Sequence, residues 1–346
     1  MSRAPLGIAL IGAGFIAGFH LAGIRDCGRA AQVRLVAARS CPKAQALAQV
    51  WGIETATDDW RDALTRSDID AVIIATPDHT HEAIACEFAR AGKAILLQKP
   101  MAGSVAACSR MIAAAQAADI DLQVSFMHRH FEEVIKARQC IEQGLIGRIH
   151  SVRIRNATPG PDWGDWFFDP QRVGNGVIDQ LGVHGIDLVQ HLLGPIETVS
   201  ARTATLLPQR QLADGRIVAV NTIDTALASY AFDSGRILGS HEMSMIEAQG
   251  CDRFRLELYG DKGVMWLRTE RGLLAIWAPH QYGNTWHVPQ LPDAALGARQ
   301  HGRWIAALQG ELKPENTAQE ALAGMQVVEA IQRSAGHSSA TVSVER

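Results

Sequence analysis

A glycine-rich turn near the start of the chain limits the folds it can adopt. Gly12, Gly14 and Ala17 form a G-x-G-x-x-A pattern directly after the apolar run Leu6–Ile11. In a strand–turn–helix unit the first glycine permits a tight turn, the second lets the backbone approach a pyrophosphate, and the small third residue lets the helix lie close to the sheet. The helix N-terminus that follows favours phosphate. The pattern predicts a dinucleotide-binding turn, whose cofactor contacts we assign to Gly12, Gly14, Phe15 and Ile16.

The first 125 residues alternate short apolar runs with longer amphipathic segments of helical period. Uninterrupted apolar runs indicate strands buried on both faces, and strands that alternate with helices indicate a parallel, doubly wound sheet. We therefore predict an α/β Rossmann domain over residues 1–125. Its strands are predicted at Leu6–Ile11, Val33–Ala38, Ala71–Ala75, Ala94–Leu97 and Leu122–Val124.

The pattern changes after Ser125. Long alternating segments are joined by turn tripeptides such as Asp233-Ser234-Gly235, which is typical of antiparallel strands. We predict a second, α+β domain over residues 126–346, with a large, mostly antiparallel sheet and helices at about 131–143, 177–193, 294–309 and 317–335. The strands are predicted at Ile149–Arg155, Glu197–Leu206, Ile217–Phe232, Arg236–Met245, Arg253–Tyr259, Val264–Leu267 and Leu273–Trp277.

Composition excludes several classes of protein. With 33 basic and 36 acidic residues, a net charge of −3 and no long run of one sign, the chain does not resemble a nucleic-acid-binding protein. The apolar stretch Ala4–Ile24 is interrupted by five glycines, so we expect neither a membrane span nor a targeting segment. Scattered cysteines without a CxxC pair indicate buried, reduced thiols of a cytoplasmic protein and no metal site. They are Cys27, Cys41, Cys86, Cys108, Cys140 and Cys251.

The end of the second predicted strand bears on the choice of cofactor. NAD sites usually carry an acidic residue there, which binds the ribose diol, whereas this chain has Ala37, Ala38, Arg39 and Ser40. Arg39 and Ser40 can bind a 2′-phosphate through charge-assisted hydrogen bonds, and a carboxylate would repel it. The sequence favours NADP(H) over NAD(H). The alternative is that Arg39 only stacks on the adenine and either cofactor binds.

Three further motifs follow the glycine turn along the chain. They are Thr76-Pro77-Asp78-His79-Thr80-His81, then Gln98-Lys99-Pro100, and finally Gly174-Asn175-Gly176 followed by Gly182-Val183-His184 and Asp187. With these motifs the chain resembles the Gfo/Idh/MocA oxidoreductases, a family that includes glucose–fructose oxidoreductase and inositol dehydrogenase. The resemblance covers essentially the whole chain. It implies a Rossmann domain followed by a domain with an open-faced sheet, with the active site between them.

The resemblance assigns a catalytic role to Lys99, in the motif that the family writes Glu-Lys-Pro. Independently, Lys99 follows a buried parallel strand, at the sheet edge where such folds bind ligands. Partial burial there lowers the pKa of a lysine toward the range of a proton-transfer group. Pro100 is expected to follow a cis bond. The resemblance also places Thr76, Pro77 and His81 at the nicotinamide half of the cofactor, beside Gln98 and Lys99.

The resemblance makes His184 the catalytic histidine on a helix of the second domain. The family has Asp four residues earlier, where this chain has Gln180. On an α-helix Gln180, His184 and Asp187 would share a face. Gln180 would then orient a hydroxyl or His184 without taking a proton, and Lys99 would carry the proton step alone. The alternative is that Asp179, through a local bulge in the helix, replaces the missing carboxylate.

The remaining assignments concern residues that would contact the substrate. Arg129 matches a family arginine near the start of the second domain, and we expect it to line the substrate cleft together with Gln180 and His184. Its neighbours His128 and His130 are expected to pack or face solvent. Trp163 and Trp166 lie in a long loop, where aromatic faces could stack on sugar C–H surfaces. Packing within the loop is an equal alternative for both tryptophans.

The chain is therefore expected to oxidise a secondary alcohol of a sugar, inositol or related polyol, with hydride transfer to NAD(P)+. One alternative is a lyase or glycosidase that oxidises the sugar transiently and then recycles its cofactor. Another is a sensor that binds dinucleotide and sugar without chemistry. The resemblance and the apolar alternation of Ile217–Phe232 also predict a homodimer or homotetramer through the second-domain sheet.

Overall fold

The computed structural model describes residues 4–248, 254–269 and 272–346. The chain divides into two compact units, and all statements below refer to these ranges. One unit runs to Met127 and also contains Ala294–Leu322, while the other comprises His128–Asp293 and Ala323–Arg346. The division predicted from the sequence, 1–125 and 126–346, left the segment 294–322 in the second domain. The structure returns that segment to the first unit.

The first unit contains a six-stranded parallel sheet in the order β3-β2-β1-β4-β5-β6. This is the Rossmann fold, so the predicted class is confirmed. The strand order reverses between β1 and β4, and ligands of such sheets bind beyond the carboxyl ends of the strands at this point. The elements are β1 Leu6–Ile11, α1 Ala17–Asp26, β2 Ala31–Ala37, α2 Cys41–Trp51, β3 Thr55–Thr57, β4 Ala71–Ile74, α3 His81–Arg90, β5 Ala94–Gln98, α4 Val105–Ala117 and β6 Leu122–Ser125.

The second unit is built on a nine-stranded sheet in the order β16-β15-β14-β13-β7-β12-β11-β8-β17. Only β7 and β12 run parallel within it, so the predicted mostly antiparallel sheet is confirmed. The elements are α5 Glu132–Glu142, β7 Ile149–Ala157, α6 Val183–Leu193, β8 Ile196–Ala204, β9 Gln209–Gln211, β10 Ile217–Ala219, β11 Thr225–Phe232, β12 Ile237–Ser244, β13 Phe254–Gly260, β14 Val264–Arg268, β15 Leu274–Trp277, α7 Pro279–Tyr282, β16 Trp286–His287, α8 Ala298–Leu308, α9 Ala318–Gly336 and β17 Val342–Ser343. Of these, α8 and the start of α9, residues 318–322, belong to the first unit.

Helix α8 explains why the segment 294–322 joins the first unit. Trp304 and Ile305 of α8 are buried in the same core cluster as Leu21 of α1 and Ile8 of β1. Their burial removes a large apolar area from water, which favours this packing. The sequence shows the amphipathic period of α8 and does not reveal which sheet the helix covers.

One predicted strand, Ile217–Phe232, is wrong. Its first part forms β10, which pairs with β9 in a separate two-stranded sheet, and β11 begins only at Thr225. Between them the buried Asp224 accepts hydrogen bonds from the backbone N–H groups of Leu206 and Leu207, at 2.8 to 3.0 Å. This polar anchor turns the chain, and alternation of apolar residues does not reveal it. The unpredicted strands β3, β9, β16 and β17 are too short to show a period.

The cysteine prediction holds in part. Cys86, Cys108 and Cys140 are buried, whereas Cys27 and Cys41 are partly exposed. Cys251 lies outside the described residues. No helix in the described ranges is long and apolar enough to cross a membrane.

Candidate active site

The glycine turn has the geometry of a phosphate-binding turn. Gly12 has φ +116°, and a Cβ there would lie 2.3 Å from the carbonyl oxygen of Ala75, so only glycine fits. A Cβ at Gly14 would have no described atom within 4 Å. Helix α1 begins at Ala17, directly after the turn. The close approach of β1 and β4 at Gly12, the open space at Gly14 and the helix N-terminus fit a dinucleotide pyrophosphate. Phe15 is 85% exposed beside it.

The predicted 2′-phosphate site lies at the end of β2. Arg39 is exposed, and Ser40 is the N-cap residue of α2 although its side chain does not cap the helix. Within the described ranges Arg39 has no ion-pair partner. Both side chains are therefore available at a helix N-terminus, which favours an anion.

Lys99 lies at the carboxyl end of β5 and is partly buried. The Lys99–Pro100 peptide bond is cis, as predicted. The backbone N–H of Lys99 donates to Oε1 of Gln98, 2.9 Å away. The buried Asp78 adds a negative charge to this edge of the sheet. Burial raises the pKa of Asp78, against the opposing influence of the positive charges of His81, His79 and Lys99.

His81 is buried beneath the predicted nicotinamide site. Its Nε2 lies 2.9 Å from the carbonyl oxygen of Thr76, and its Nδ1 lies 3.0 Å from that of Pro100 and 3.2 Å from that of Met101. Burial lowers the pKa of His81. These contacts join the loop after β4 to the Lys99–Pro100 turn. We therefore interpret His81 as a residue that positions this loop, while Thr76 and the exposed Pro77 lie at the surface beside it.

His184, the second candidate catalytic residue, lies in the second unit. It is 5% exposed and packs against the rings of His128 and Phe254, with centroids at 4.5 and 5.5 Å. Two glycines let its helix approach the sheet: a Cβ at Gly182 would lie 2.4 Å from Met243 Sδ, and a Cβ at Gly185 would lie 2.3 Å from Oδ1 of Asn156. This backbone approach fixes the position of His184.

The helix that carries His184 does not have the spacing we predicted. Ile178–Gly182 is a π-helical turn, and the α-helical part begins only at Val183. A π-turn closes i→i+5 hydrogen bonds, so the α-helical spacing expected between Gln180 and His184 does not hold, whereas His184 and Asp187 both lie in the α-helical part. Gln180 is partly buried. Asp179 is fully buried, and its carboxylate accepts hydrogen bonds from the backbone N–H and the side-chain amide of Asn175, both at 3.0 Å.

Arg129 is committed to a buried ion pair. Its Nε and Nη2 donate to the two carboxylate oxygens of Asp187 at 2.8 and 2.5 Å, and both side chains are almost fully buried. This bidentate geometry joins the segment before α5 to helix α6. The structure thus gives Arg129 a role in positioning α6, in addition to the substrate contact we predicted. His128 and His130 are buried.

The tryptophan loop forms a small core of its own. The ring of Trp166 stacks on Phe167 with centroids 3.7 Å apart, and both pack with Phe168, Leu212 and Val220. This favours packing within the loop for Trp166. Trp163 differs, because 60% of it is exposed; its ring makes an edge-to-face contact with Phe167.

Sequence reasoning missed two histidines. His20 in α1 and His301 in α8 are fully buried, and their ring nitrogens lie 2.9 Å apart. Nε2 of His20 also lies 3.1 Å from the amide nitrogen of Gln98. The two residues are 281 positions apart in the chain. No local pattern could have connected them.

The fold and the glycine turn define an NAD-binding Rossmann oxidoreductase. Residues 6–126 match the oxidoreductase family with NAD-binding Rossmann fold, and residues 134–266 match the GFO/IDH/MocA C-terminal domain. The chain belongs to the Gfo/Idh/MocA oxidoreductase family.

Curated relatives and solved structures agree with this assignment. The chain is 31% identical over 294 residues to a levoglucosan dehydrogenase of Pseudarthrobacter phenanthrenivorans, covering 77% of this chain and 74% of that protein. It is 32% identical over 269 residues to an inositol 2-dehydrogenase of Rhizobium meliloti, covering 76% and 75%. A levoglucosan dehydrogenase structure with NADH and L-sorbose superposes with a TM-score of 0.91 over 99% of this chain and 100% of that one. At 24% identity this last similarity shows the fold alone.

Proposed function

We propose that the protein is a dehydrogenase that interconverts a secondary alcohol and a ketone on a sugar, inositol or related polyol. A bound nicotinamide cofactor supplies the hydride acceptor or donor. Lys99 takes the proton of the reacting hydroxyl, and His184 orients the same oxygen. Gln180 can hold a hydroxyl by hydrogen bonding and cannot carry a charge near neutral pH.

The observation that carries the proposal is the position of Lys99. It lies at the carboxyl edge of the parallel sheet, in the turn that His81 joins to Thr76 after β4. Parallel sheets bind their ligands at this edge, and the glycine turn after β1 lies at the same edge. A partly buried lysine next to a dinucleotide-binding turn is well suited to proton transfer during hydride transfer.

The cofactor preference is the finer part of the proposal. We favour NADP(H), because the exposed Arg39 and the uncommitted hydroxyl of Ser40 can bind a 2′-phosphate at the N-terminus of α2. A solved relative is in complex with NADH. The preference therefore has to be measured on this chain.

The substrate class follows from the relatives. Two relatives are named levoglucosan dehydrogenase and inositol 2-dehydrogenase, and both levoglucosan and inositol have secondary alcohols on a ring. Trp163, exposed in the loop before the π-turn, offers an aromatic face to such a ring.

Association through the second-domain sheet is also part of the proposal. Leu227 of β11, Leu238 of β12 and Trp266 of β14 are 55%, 61% and 46% exposed. Exposed apolar side chains on strands of one sheet favour burial against a second copy of the chain. We expect a dimer or tetramer in sedimentation analysis and a shift toward monomer in Leu238→Glu.

The experiment that tests the function is a substrate panel followed by one substitution. Levoglucosan, myo-inositol and related sugars are incubated with NADP+ or NAD+, and absorbance at the nicotinamide band is followed. Lys99→Ala is expected to lower kcat by ~10²–10⁴-fold. Dinucleotide binding should be retained. Full activity in this variant contradicts the mechanism, and substrate turnover without a net nicotinamide signal favours the cofactor-recycling alternative.

A further inference from the structure

Behind Lys99 lies a row of buried polar side chains that the reaction itself does not use. Gln98 at the end of β5, His20 in α1 and His301 in α8 are each 6% exposed or less. They come from three elements of the first unit. The contacts run from the Lys99 N–H to Gln98 Oε1, from Gln98 Nε2 to His20 Nε2, from His20 Nδ1 to His301 Nε2, and from His301 Nδ1 to the Gly297 carbonyl oxygen.

The two ends of this row fix the direction of every hydrogen bond in it. The carbonyl oxygen of Gly297 can only accept, so Nδ1 of His301 donates to it at 2.7 Å. A neutral His301 then accepts at Nε2, and His20 donates to it from Nδ1 at 2.9 Å. Nε2 of a neutral His20 therefore accepts. The residue at position 98 must supply a hydrogen to it.

Gln98 meets both requirements of its position. Its Oε1 is taken by the Lys99 N–H, so its amide nitrogen faces His20 at 3.1 Å. An ionised glutamate of the same length could accept from Lys99 but could not donate to His20. With a glutamate at this position, either its carboxyl or the imidazole of His20 or His301 would have to bind an additional proton while buried.

The surroundings keep both histidines neutral and in place. Burial lowers the pKa of His301 to about 4 and that of His20 well below its usual range; for His301 the hydrogen bond to the Gly297 carbonyl and the charge of Asp26 oppose this without overcoming it. The ring of His301 lies against α1 where a Cβ at Gly23 would be 2.1 Å from its Nδ1, so glycine makes room for it. Phe19 covers both rings, with centroids 5.3 and 5.4 Å away.

We propose that Gln98, His20 and His301 are positioning residues for Lys99, joined in one uncharged hydrogen-bond chain whose direction requires an amide at position 98. The chain connects the main chain of Lys99 to helix α8. It gives the segment 294–322, which contains α8, a role in positioning Lys99. It rests on the proposed function only for its effect on turnover.

The direction of the chain can be read in the wild-type protein alone. In ¹⁵N-histidine-labelled protein at pH 7.5, the nitrogen shifts distinguish a protonated ring nitrogen from a bare one. We expect His20 and His301 both to carry hydrogen on Nδ1 only, with signals assigned by their loss in His20→Gln and His301→Gln. An Nε2–H tautomer or an imidazolium at either residue overturns the proposal.

A matched pair of variants tests the requirement for a donor. Gln98→Met removes the hydrogen bonds without adding a titrating group, so its loss of stability should not depend on pH. Gln98→Glu can donate only when protonated, which raises the pKa of the new carboxyl in the folded state. Its stability is therefore lost as pH rises. Between pH 5.5 and 8.5 we expect its unfolding equilibrium constant, relative to wild type, to rise by about tenfold or more. If the unfolding equilibrium constants of the two variants, relative to wild type, depend on pH in the same way, the proposal is overturned.

Turnover then tests the link to Lys99. With levoglucosan or myo-inositol as the probe substrate, Gln98→Met should lower kcat roughly ten- to a hundredfold, the effect of losing a buried hydrogen-bond partner. NADPH affinity, measured by fluorescence, should stay within a few-fold, because the amide of Gln98 bonds the Lys99 N–H and His20 although the family resemblance places the residue beside the cofactor. An unchanged kcat overturns the positioning role. A wild-type protein that turns over neither probe counts against the proposed function and leaves the tautomer result standing.

Discussion

The two halves of the molecule, its first and its second unit, hold their candidate catalytic side chains by different physical means. The main chain at Lys99 is held by uncharged groups, namely main-chain carbonyls, an amide and neutral histidines, beside the buried carboxyl of Asp78. The helix of His184 is held by a buried ion pair between Arg129 and Asp187 and by the buried carboxylate of Asp179. An uncharged chain of hydrogen bonds is stable only when each imidazole tautomer supplies the donor or acceptor that its neighbour needs. A buried charge is stable only when its opposite charge is present. The two halves should therefore fail in different ways when they are altered.

The largest effect is expected from breaking the ion pair. Arg129→Met leaves the carboxylate of Asp187 buried without its partner, which costs about 3–5 kcal/mol of the free energy of unfolding. Denaturant unfolding followed by circular dichroism measures this loss. The double variant Arg129→Met/Asp187→Leu should recover much of it, because no uncompensated charge remains. Equal losses in the single and double variants would contradict the role of the pair.

The buried histidines of the first unit should instead make the free energy of unfolding fall in acid. The pKa of folded His301 is lowered to about 4, while the unfolded chain has the ordinary value near 6.5, so the unfolded state binds more protons between these values. Stability is full above about pH 6.5 and falls as the pH drops toward 4, by about 3 kcal/mol for His301 alone. His20 adds to this in the same direction.

The measurement is the free energy of unfolding as a function of pH. His301→Gln should flatten the curve, because an amide does not titrate. His280→Gln, at an exposed position, serves as the control and should follow the wild type. A wild-type curve that is level between pH 6.5 and 4 would remove this account of the buried histidines. His241 in the second unit also has its pKa lowered by burial, to about 3. The His301→Gln curve should consequently keep a residual slope.

The two halves also differ in how far the sequence predicts them. Five of the six parallel strands were predicted within one or two residues, because buried strands alternate with helices; β1 matched its predicted range Leu6–Ile11, and only the three-residue β3 was not predicted. The candidate residues Lys99 and His184 followed from motifs. The buried polar residues that hold the structure in place could not be predicted from motifs, since His301 lies 281 residues from His20 and Asp224 shows no local period. Local patterns report local backbone geometry, whereas the partners of buried polar groups are set by tertiary packing.

The cofactor preference gives a prediction confined to the first half. Arg39→Ala should lower kcat/KM for NADP+ by roughly ten- to a hundredfold, the equivalent of one charge-assisted hydrogen bond of ~1.5–3 kcal/mol. The value for NAD+ should change little. Since Arg39 is exposed and lies at the N-terminus of α2, the substitution should leave stability within ~0.5 kcal/mol. An unchanged ratio of NADP+ to NAD+ efficiency would refute the assignment of the 2′-phosphate site.

The smallest effect concerns the π-turn, where Asp179 and Gln180 compete for the role of the family's carboxylate. The bulge that the alternative required is present, as Ile178–Gly182 is π-helical. However, the carboxylate of Asp179 is fully buried and accepts both hydrogen bonds from Asn175, which ties it to the loop Gly174-Asn175-Gly176. We therefore expect Asp179 to hold this loop and Gln180 to contact the substrate.

Two substitutions separate these roles through the pH dependence of kcat/KM. Gln180→Ala should weaken substrate binding by ~1–3 kcal/mol without changing the shape of the profile. Gln180→Asp adds a negative charge that favours the ammonium form of Lys99, so the basic limb should move to higher pH. Asp179→Asn keeps the shape of the side chain and should lower stability while leaving the limbs in place. A shifted profile in Asp179→Asn with an unshifted one in Gln180→Asp would reverse the assignment, because the π-turn would then present Asp179 to the reacting oxygen.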